Sequence, residues 1–422
     1  MGGVTIRSLA AGALAALVHL PDARADIVIY ADENWKLTHA GRVQGFYVLT
    51  MGDVNPEPAT PPVVDFDFLA TPPGNASNHF VYSRFRSGWT GGVFGWRATK
   101  QMSPDVKVSA NLGIAYAIST VNAPVATNNA WDVREGTLEI EGPWGDVSIG
   151  RTHGLYTFGG VVHTSFVTSA LVGFGQACSV TGDNLACYTG GYGVKYAGFW
   201  SGAFYTTPEL AGAKLEIAAM DPIAVGEDEA AVPPAVPDSQ AWARTPLPMF
   251  QISITHTGLV GKTRISSFFD GFWQQVGRAG TSSVRNPVGG GAGVDVFVGD
   301  FKAGAGGSLE HGSSLYVPLL GRAVIDGSGT LRNGASFYAD AMVTVGRFDL
   351  GAGYGQAGLF RTAFDEANHL NINKVQRNVH GSVQYHWGPV TFVAEVTFLH
   401  HEWYLGNEQD VQIADVGADF AY

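Results

Sequence analysis

The sequence predicts an all-β fold, a sixteen-stranded antiparallel β-barrel that crosses a membrane. The first observation is compositional: 45% of the 422 residues are hydrophobic and 12% are aromatic, which excludes a disordered chain. The second is that no apolar run approaches the roughly 20 residues of a membrane-spanning helix, which excludes a helical membrane protein. The third is an alternation of apolar and polar residues in segments joined by short and long connections in turn.

The charge distribution narrows the choice of partner. The formal net charge is −12 at pH 7, and the Lys and Arg residues are scattered along the chain. A nucleic-acid-binding protein would concentrate its basic residues in a patch or stripe. We therefore expect no nucleic-acid partner.

The N-terminus has the features of an export signal. Arg7 precedes an apolar segment at residues 9–20 that is too short to span a membrane, and Ala23-Arg24-Ala25 fits a cleavage site. The predicted organisation is a signal peptide at residues 1–25 followed by a barrel domain at residues 26–422. A buried N-terminal helix is the alternative interpretation of the first segment.

Export implies an oxidising compartment, which bears on the only two cysteines. Cys178 and Cys187 lie in a turn-rich stretch and are close enough in sequence to close a small disulfide loop. A metal site is the alternative, but no further Cys or His ligands flank the pair at suitable spacing. We predict a disulfide here.

The clearest alternation lies in the last third of the chain. Residues 378–387 place Asn, His, Ser, Gln and His on one parity and Val, Gly, Val, Tyr and Trp on the other. The turn Gly388-Pro389 follows, and residues 390–398 alternate in the same way, which predicts a hairpin with one shared apolar face. Residues 335–356 repeat this pattern around a second glycine turn.

The same reading extends along the chain and gives an even number of strands with sorted connections. The sixteen predicted strands are residues 37–50, 79–101, 105–120, 131–141, 145–152, 191–207, 212–221, 249–257, 262–274, 292–303, 306–316, 335–345, 348–358, 374–387, 390–402 and 411–422. Short turns at one end and long loops at the other are typical of an outer-membrane barrel. Because unpaired backbone groups are costly in hydrocarbon, such a sheet must close, with an apolar outer face and a hydrated lumen.

Three segments carry a resemblance to a known family. They are VREGTLEIEGPWGDVSIGRT at residues 133–152, FGWRATKQMSPDVKVSANLGIAYA at residues 94–117, and the terminal Phe420-Ala421-Tyr422. They resemble a strand-turn-strand signature, the second and third strands, and the terminal aromatic residue of Gram-negative general porins. The resemblance implies a homotrimer of barrels in the bacterial outer membrane, with short periplasmic turns and long external loops. Each barrel would be a passive diffusion channel narrowed by an inward-folded third loop, here residues 153–190.

The family also implies a pore constriction, in which acidic loop residues face arginines on the barrel wall. By position, Arg134 and Arg151 match the family's wall arginines. Arg84 and Arg86 are further candidates, because residues i and i+2 of a strand share a face. Strict alternation sets Arg134 beside Leu138, so its place in the lumen requires a bulge at Gly136.

The third loop supplies the opposite side of this predicted constriction. Its carboxylate is Asp183, and His163 is the other titratable candidate that we assign to it. Much of the remaining loop is apolar, which departs from the acidic pattern of the family.

Other motifs do not indicate chemistry. Residues 258–263 (GLVGKT) are similar to a phosphate-binding loop, but they lack its first glycine and join two strands. His400-His401-Glu402 lacks the spacing that puts two metal ligands on one helical face. The acidic, proline-rich residues 221–248 suggest an exposed loop, with a divalent-ion site as the alternative. We expect no metal, no cofactor and no catalytic residue.

The sequence thus predicts an outer-membrane channel that contacts lipid and passes small hydrophilic solutes and ions by diffusion. A substrate-specific channel of the same barrel type is one alternative. An exported soluble β-rich protein that binds glycans is the other, and it would be extracted without detergent.

Overall fold

The computed structural model describes residues 27–53, 63–64, 79–86, 92–116, 131–159, 193–195, 197–225, 242–278, 280–312 and 324–422. No helix within these ranges is long and apolar enough to cross a membrane. The predicted signal peptide at residues 1–25 lies outside the described residues.

Nearly all regular structure in the described chain is β-strand. The strands are β1 (Ile27–Ala31), β2 (Trp35–Asp53), β3 (Val63–Val64), β4 (His79–Arg86), β5 (Gly92–Ser103), β6 (Val106–Tyr116), β7 (Trp131–Gly142), β8 (Gly145–His153), β9 (Phe199–Thr206), β10 (Ala213–Met220), β11 (Trp242–Arg244), β12 (Met249–Val260), β13 (Thr263–Trp273), β14 (Val276–Arg278), β15 (Val284–Arg285), β16 (Val288–Val298), β17 (Phe301–His311), β18 (Asn333–Val345), β19 (Phe348–Phe360), β20 (Asn371–Trp387), β21 (Val390–Trp403) and β22 (Glu408–Ala421). A short helix, α1 (Ala363–Ala367), lies between β19 and β20.

The main sheet closes on itself because β2 has partners along both edges. On one edge it pairs with β22, from Arg42 opposite Ala421 to Gly52 opposite Val411, and on the other it pairs with β4 and β5. β1 pairs with the start of β2 on the same edge as β22, so β1 and β22 follow one another along that edge of β2. β4 and β5 likewise follow one another along β2 as one barrel strand. The predicted closed sixteen-strand antiparallel barrel is confirmed.

The two faces of the barrel wall differ in polarity, as β20 and β21 show. In β20 the polar residues are buried on the inner face, for example Gln376, Asn378 and His380. On the outer face of the same hairpin, Val379 is 52% and Phe398 50% exposed. A soluble protein avoids a continuous apolar surface of this kind, whereas a lipid-facing barrel requires it. The predicted hairpin with one shared apolar face is confirmed.

Glycine in a positive-φ conformation forms the short turns. Gly388 has a φ of 58° and Gly346 a φ of 65°, and each lies at the predicted turn between two long strands. The left-handed region is sterically open to glycine and costly for other residues, so these turns can remain tight.

The hairpin of β16 and β17 lies earlier than predicted, because its turn is Gly299-Asp300 and not residues 304–305. The strand predictions 292–303 and 306–316 are wrong at this turn. Residues 304–305 lie within β17, where the adjacent Gly306 leaves no room for a larger side chain: a Cβ at Gly306 would lie 2.7 Å from the Tyr338 ring. Here glycine provides room for a neighbour rather than a bend.

The long loops over one side of the barrel share a hydrophobic core. β11, β14 and β15 form a separate three-stranded sheet within them. Trp242 of β11 is buried in a cluster that extends from these loops to the barrel wall. The cluster comprises Leu155, Tyr156, Phe204, Ala218, Met220, Ile223, Val225, Trp242, Met249, Phe272, Val276, Val324, Ile325 and Leu331. These loops are therefore packed against each other and against the wall.

An ion pair joins two further loops. The Arg332 guanidinium donates to both carboxylate oxygens of Asp365, at 2.9 and 2.6 Å, and neither side chain is exposed. Thr362 caps α1 through its hydroxyl, and Asp365 accepts from the Thr362 N–H in return. This capping box and the ion pair fix the helix against the loop that follows β17.

Candidate functional site

The third loop enters the barrel at its first residues. The backbone N–H groups of Leu155 and Tyr156 donate to Gln251 Oε1 at 2.7 and 2.9 Å, and the Thr157 N–H donates to Asp270 Oδ2 at 2.9 Å. Gln251 of β12 and Asp270 of β13 are buried. A buried backbone N–H requires an acceptor, and these wall side chains supply it. The start of the loop is thereby fixed to the inner wall.

The returning end of the loop reaches the same wall. Lys195 Nζ lies 2.5 Å from Glu310 Oε2, and the Tyr156 hydroxyl donates to Glu310 Oε1 at 2.6 Å. Burial lowers the pKa of Lys195, and the charge of Glu310 opposes that shift. Glu310 of β17 thus holds both ends of the loop. β9 begins only at Phe199, later than the predicted start at residue 191, because the preceding residues belong to this anchor.

Arg84 and Arg86 lie on β4, at positions that the backbone register places opposite Val48 and Phe46 of β2. Those two β2 residues are buried on the same face as Gln44. Directly opposed residues of an antiparallel pair share one face of the sheet. The strand positions of both arginines are therefore opposite inner-face positions. Their side chains lie outside the described part of the structure.

Arg134 lies at a bulge, but at a different position from the predicted one. The register between β6 and β7 shifts at Arg134 itself and not at Gly136. Arg134 therefore keeps the parity of Leu138, which is exposed on the outer face. Its guanidinium lies 5.4 Å from the centre of the Phe199 ring. We leave Arg134 out of the proposed constriction.

Arg151 of β8 lies on the outer-face parity as well. It alternates with Val147 and Ile149, which are 46% and 62% exposed, and Arg151 is itself exposed. The residues between them include Asp146 and Ser148, on the inner face. Arg151 is therefore also left out of the proposed constriction.

The remaining predicted site residues lie outside the described part of the chain. These are Asp183 and His163 of the third loop and the pair Cys178 and Cys187. Their roles remain predictions.

The inner face carries buried carboxylates that the sequence analysis did not assign to a site. They are Glu135, Glu139, Asp270, Asp295, Glu310, Asp340, Glu395, Asp415 and Asp419. Alternation with apolar residues was the available signal. It places Asp340 on the inner face of β18, while Phe337 and Ala339 lie on the outer face. The described wall is thus more acidic than the arginine wall expected from the family.

Three wall carboxyl groups, among them Glu139, are close together near the short-turn end. One oxygen from each of Glu139, Glu141 and Asp146 lies within 4.8 Å of the others. Arg97 lies 3.0 Å from Glu139 and Lys107 lies 2.5 Å from Glu141. These contacts make the group an ion-pair network between neighbouring strands.

Comparison with known proteins agrees with this architecture. A solved outer-membrane channel, DcaP of Acinetobacter baumannii, superposes with a TM-score of 0.65 at 12% identity, over 94% of this chain and 99% of that chain. An anion-selective porin from Comamonas acidovorans superposes with a TM-score of 0.57 at 12% identity, over 92% of this chain and 100% of that chain. Salmonella typhi OmpF superposes with a TM-score of 0.56 at 12% identity, over 94% of this chain and 100% of that chain. At these identities the likeness shows the fold alone.

Curated proteins give no match to the chain. The family model of the Gram-negative porins, in contrast, matches residues 10–422. This match covers every described strand, including those that anchor the third loop. The chain therefore belongs to the Gram-negative porin family.

Proposed function

We propose that the protein is an outer-membrane porin through which small hydrophilic solutes and ions diffuse passively. The observation that carries this proposal is the closed barrel, apolar outside and polar inside, with a loop anchored to its inner wall. A polar interior across a membrane gives water and ions a path that lipid does not. This function needs no reaction, so we expect neither catalysis nor a cofactor.

Planar bilayers test the channel directly. Purified protein should insert and produce stepwise increases in conductance. A difference in gel migration between unheated and heated portions of the same sample identifies the folded barrel. Correctly folded protein that gives no steps would contradict the proposal.

We also propose that the pore is narrowed by the third loop. Arg84 and Arg86 are the wall residues that we retain for this constriction, and Asp183 and His163 are the loop residues. Their support is the family pattern together with the β4 register.

Export and assembly form a separate part of the proposal. We expect cleavage of residues 1–25, a homotrimer, as the porin family implies, and a disulfide between Cys178 and Cys187. The intact mass of protein from outer membranes would locate the cleavage site. Native mass spectrometry in detergent would give the number of subunits, and alkylation before and after reduction would detect the disulfide.

A substrate-specific channel is the second candidate function. It is favoured by the apolar composition of much of the third loop, which departs from the acidic pattern of the family. Apolar side chains beside a polar path can hold a solute with both characters. Saturable block of the conductance by one solute, absent with others of similar size, would distinguish this channel from a general one.

A further inference from the structure

A small cavity lies between the anchored ends of the third loop and the inner wall of the barrel. Its volume is about 20 Å³, which is enough for one water molecule or one bare cation. The two ends of the loop line it on one side, and the neighbouring strands β13, β16, β17 and β18 line it on the other. Its polar side chains are those of Thr157, Lys195, Asp270, Ser308, Ser336 and Tyr338.

The strand register brings the polar wall residues of this cavity into one row. Asp270 is opposite Gly291, Gly291 is opposite Ser308, and Ser308 is opposite Ser336. Directly opposed residues share one face of the sheet. Because Gly291 has no side chain, it leaves a gap in the row: a Cβ there would lie 2.6 Å from Asp270 Oδ1 and 3.6 Å from the Ser308 Cβ. Glycine therefore keeps open the space that Asp270 Oδ1 faces.

The Asp270 carboxylate is buried beside this space without a positive charge of its own. Asp270 is 0% exposed, and its Oδ2 accepts the Thr157 N–H at 2.9 Å. The backbone N–H groups of Gly159 and Gly291 also lie near the carboxylate, but they are neutral. Within the residues that the structure describes, Asp270 makes no ion pair, since Lys195 is held by the ion pair at the loop anchor. A buried carboxylate normally has a compensating charge.

The Thr157 hydroxyl faces the same cavity from the loop. Thr157 is 7% exposed, and its Oγ1 has no hydrogen-bond partner within the described part of the chain. A buried hydroxyl normally has a partner. Its backbone has a φ of 69°, a left-handed conformation that is sterically costly for a β-branched residue. A ligand held between Thr157 and Asp270 would offset this strain and satisfy the hydroxyl.

The chemistry of these groups favours a cation over a water molecule. Carboxylate and hydroxyl oxygens are the ligands that hard cations prefer, and the hydroxyls of Ser308 and Ser336, 2.7 Å apart, lie in the same lining. A cation would also compensate the charge of Asp270, which water cannot do. One carboxylate balances one positive charge, and the volume admits a single ion without its hydration shell.

We propose that this cavity binds one small monovalent cation of the size of Na⁺, held between Asp270 of the wall and Thr157 of the third loop. The ion would fix the entry of the loop to β13, in addition to the anchor at Glu310. The sequence analysis expected no metal, because Thr157 and Asp270 are 113 positions apart and share no spacing motif. The site serves the fold of the loop and does not depend on conduction.

Thermal unfolding in a nonionic detergent tests the site, with NaCl replaced stepwise by choline chloride at constant ionic strength. The unmodified protein should unfold at a higher temperature as Na⁺ increases, and the effect should saturate, because a ligand that binds only the folded state stabilises it. Proteolysis between residues 153 and 198 should slow over the same range of Na⁺ concentration.

Two variants remove ligands with little change of shape. Asp270→Asn keeps an acceptor for the Thr157 N–H but removes the charge, so the response to Na⁺ should be lost. Thr157→Val keeps the β-branched shape and the N–H, and it should raise the half-maximal Na⁺ concentration by about tenfold or more. Thr157→Val alone decides the test if Asp270→Asn does not fold.

Asp300→Asn is the matched control, since Asp300 is exposed in the turn between β16 and β17. It should keep the Na⁺ response of the unmodified protein. Equal stability in NaCl and choline chloride would overturn the proposal and indicate a water molecule in the cavity. A Na⁺ response that is the same in the cavity variants and the control would overturn it as well. Folded protein without conductance contradicts the proposed channel function and leaves this result unchanged.

Discussion

The contact of Glu310 with both ends of the third loop can be tested by one substitution. Glu310→Gln preserves the size of the side chain and an acceptor for the Tyr156 hydroxyl, but it removes the charge that faces Lys195. The side chains of Lys195 and Glu310 are 2% and 0% exposed, so water cannot readily replace that charge. Breaking a buried ion pair from one side costs about 3–5 kcal/mol. We expect the loop ends to detach while the strand pairing of the barrel persists.

The assay compares single-channel records with limited proteolysis. Detachment should alter the mean conductance, increase the open-channel current noise and accelerate cleavage between residues 153 and 198. Glu209→Gln is the matched control, because Glu209 is 59% exposed and lies 4.0 Å from Lys214. Such a surface pair contributes about 0–1 kcal/mol, so this variant should behave like the unmodified protein. Identical noise and digestion rates in both variants would refute the anchoring role of Glu310.

Three further perturbations give distinct outcomes. Arg84→Ala together with Arg86→Ala should move the reversal potential toward greater cation permeability, and an unchanged potential would exclude both residues from the constriction. Burial alone raises the pKa of Asp365, but its hydrogen bonds and the charge of its arginine partner outweigh burial and lower the pKa below 3.8. Because the folded pKa is the lower one, this stabilisation is present above about pH 4 and lost as the pH falls through the folded value. The protection factors of the α1 amides against hydrogen exchange should fall over that range, and unchanged protection factors would contradict this assignment. Gly304→Ala should destabilise the barrel by about 1–3 kcal/mol through overpacking, measured as a lower heat-modification temperature. Gly136→Ala, where a Cβ meets nothing within 4 Å, is its control.

Local patterns in the sequence were sufficient for the strands and for several turns. The alternation around Gly388 gives the faces of β20 and β21 correctly, because a strand has a fixed period of two. The same rule could have placed Arg151 on the outer face, since it alternates with Val147 and Ile149. The prediction that Arg151 lines the constriction followed instead from its match to a wall arginine of the porin family.

Features that depend on distant contacts could not be predicted in this way. The loop residues Leu155 and Tyr156 meet Gln251 across 96 and 95 positions of sequence, and Tyr156 meets Glu310 across 154. No local periodicity records such contacts. The turn at Gly299 was missed for a related reason, because the role of the glycines in β17 depends on side chains from the adjacent strands.

The union of β1 and β22 along one edge of β2 has a consequence for biogenesis. Arg42 and Asp419 meet across 377 positions, so the contact that closes the barrel joins strands that are far apart in the sequence. Contacts of such sequence separation are slow to form. The barrel closes only when β2 and β22 have both been placed, so the apolar faces of the intervening hairpins must stay shielded from aggregation until then.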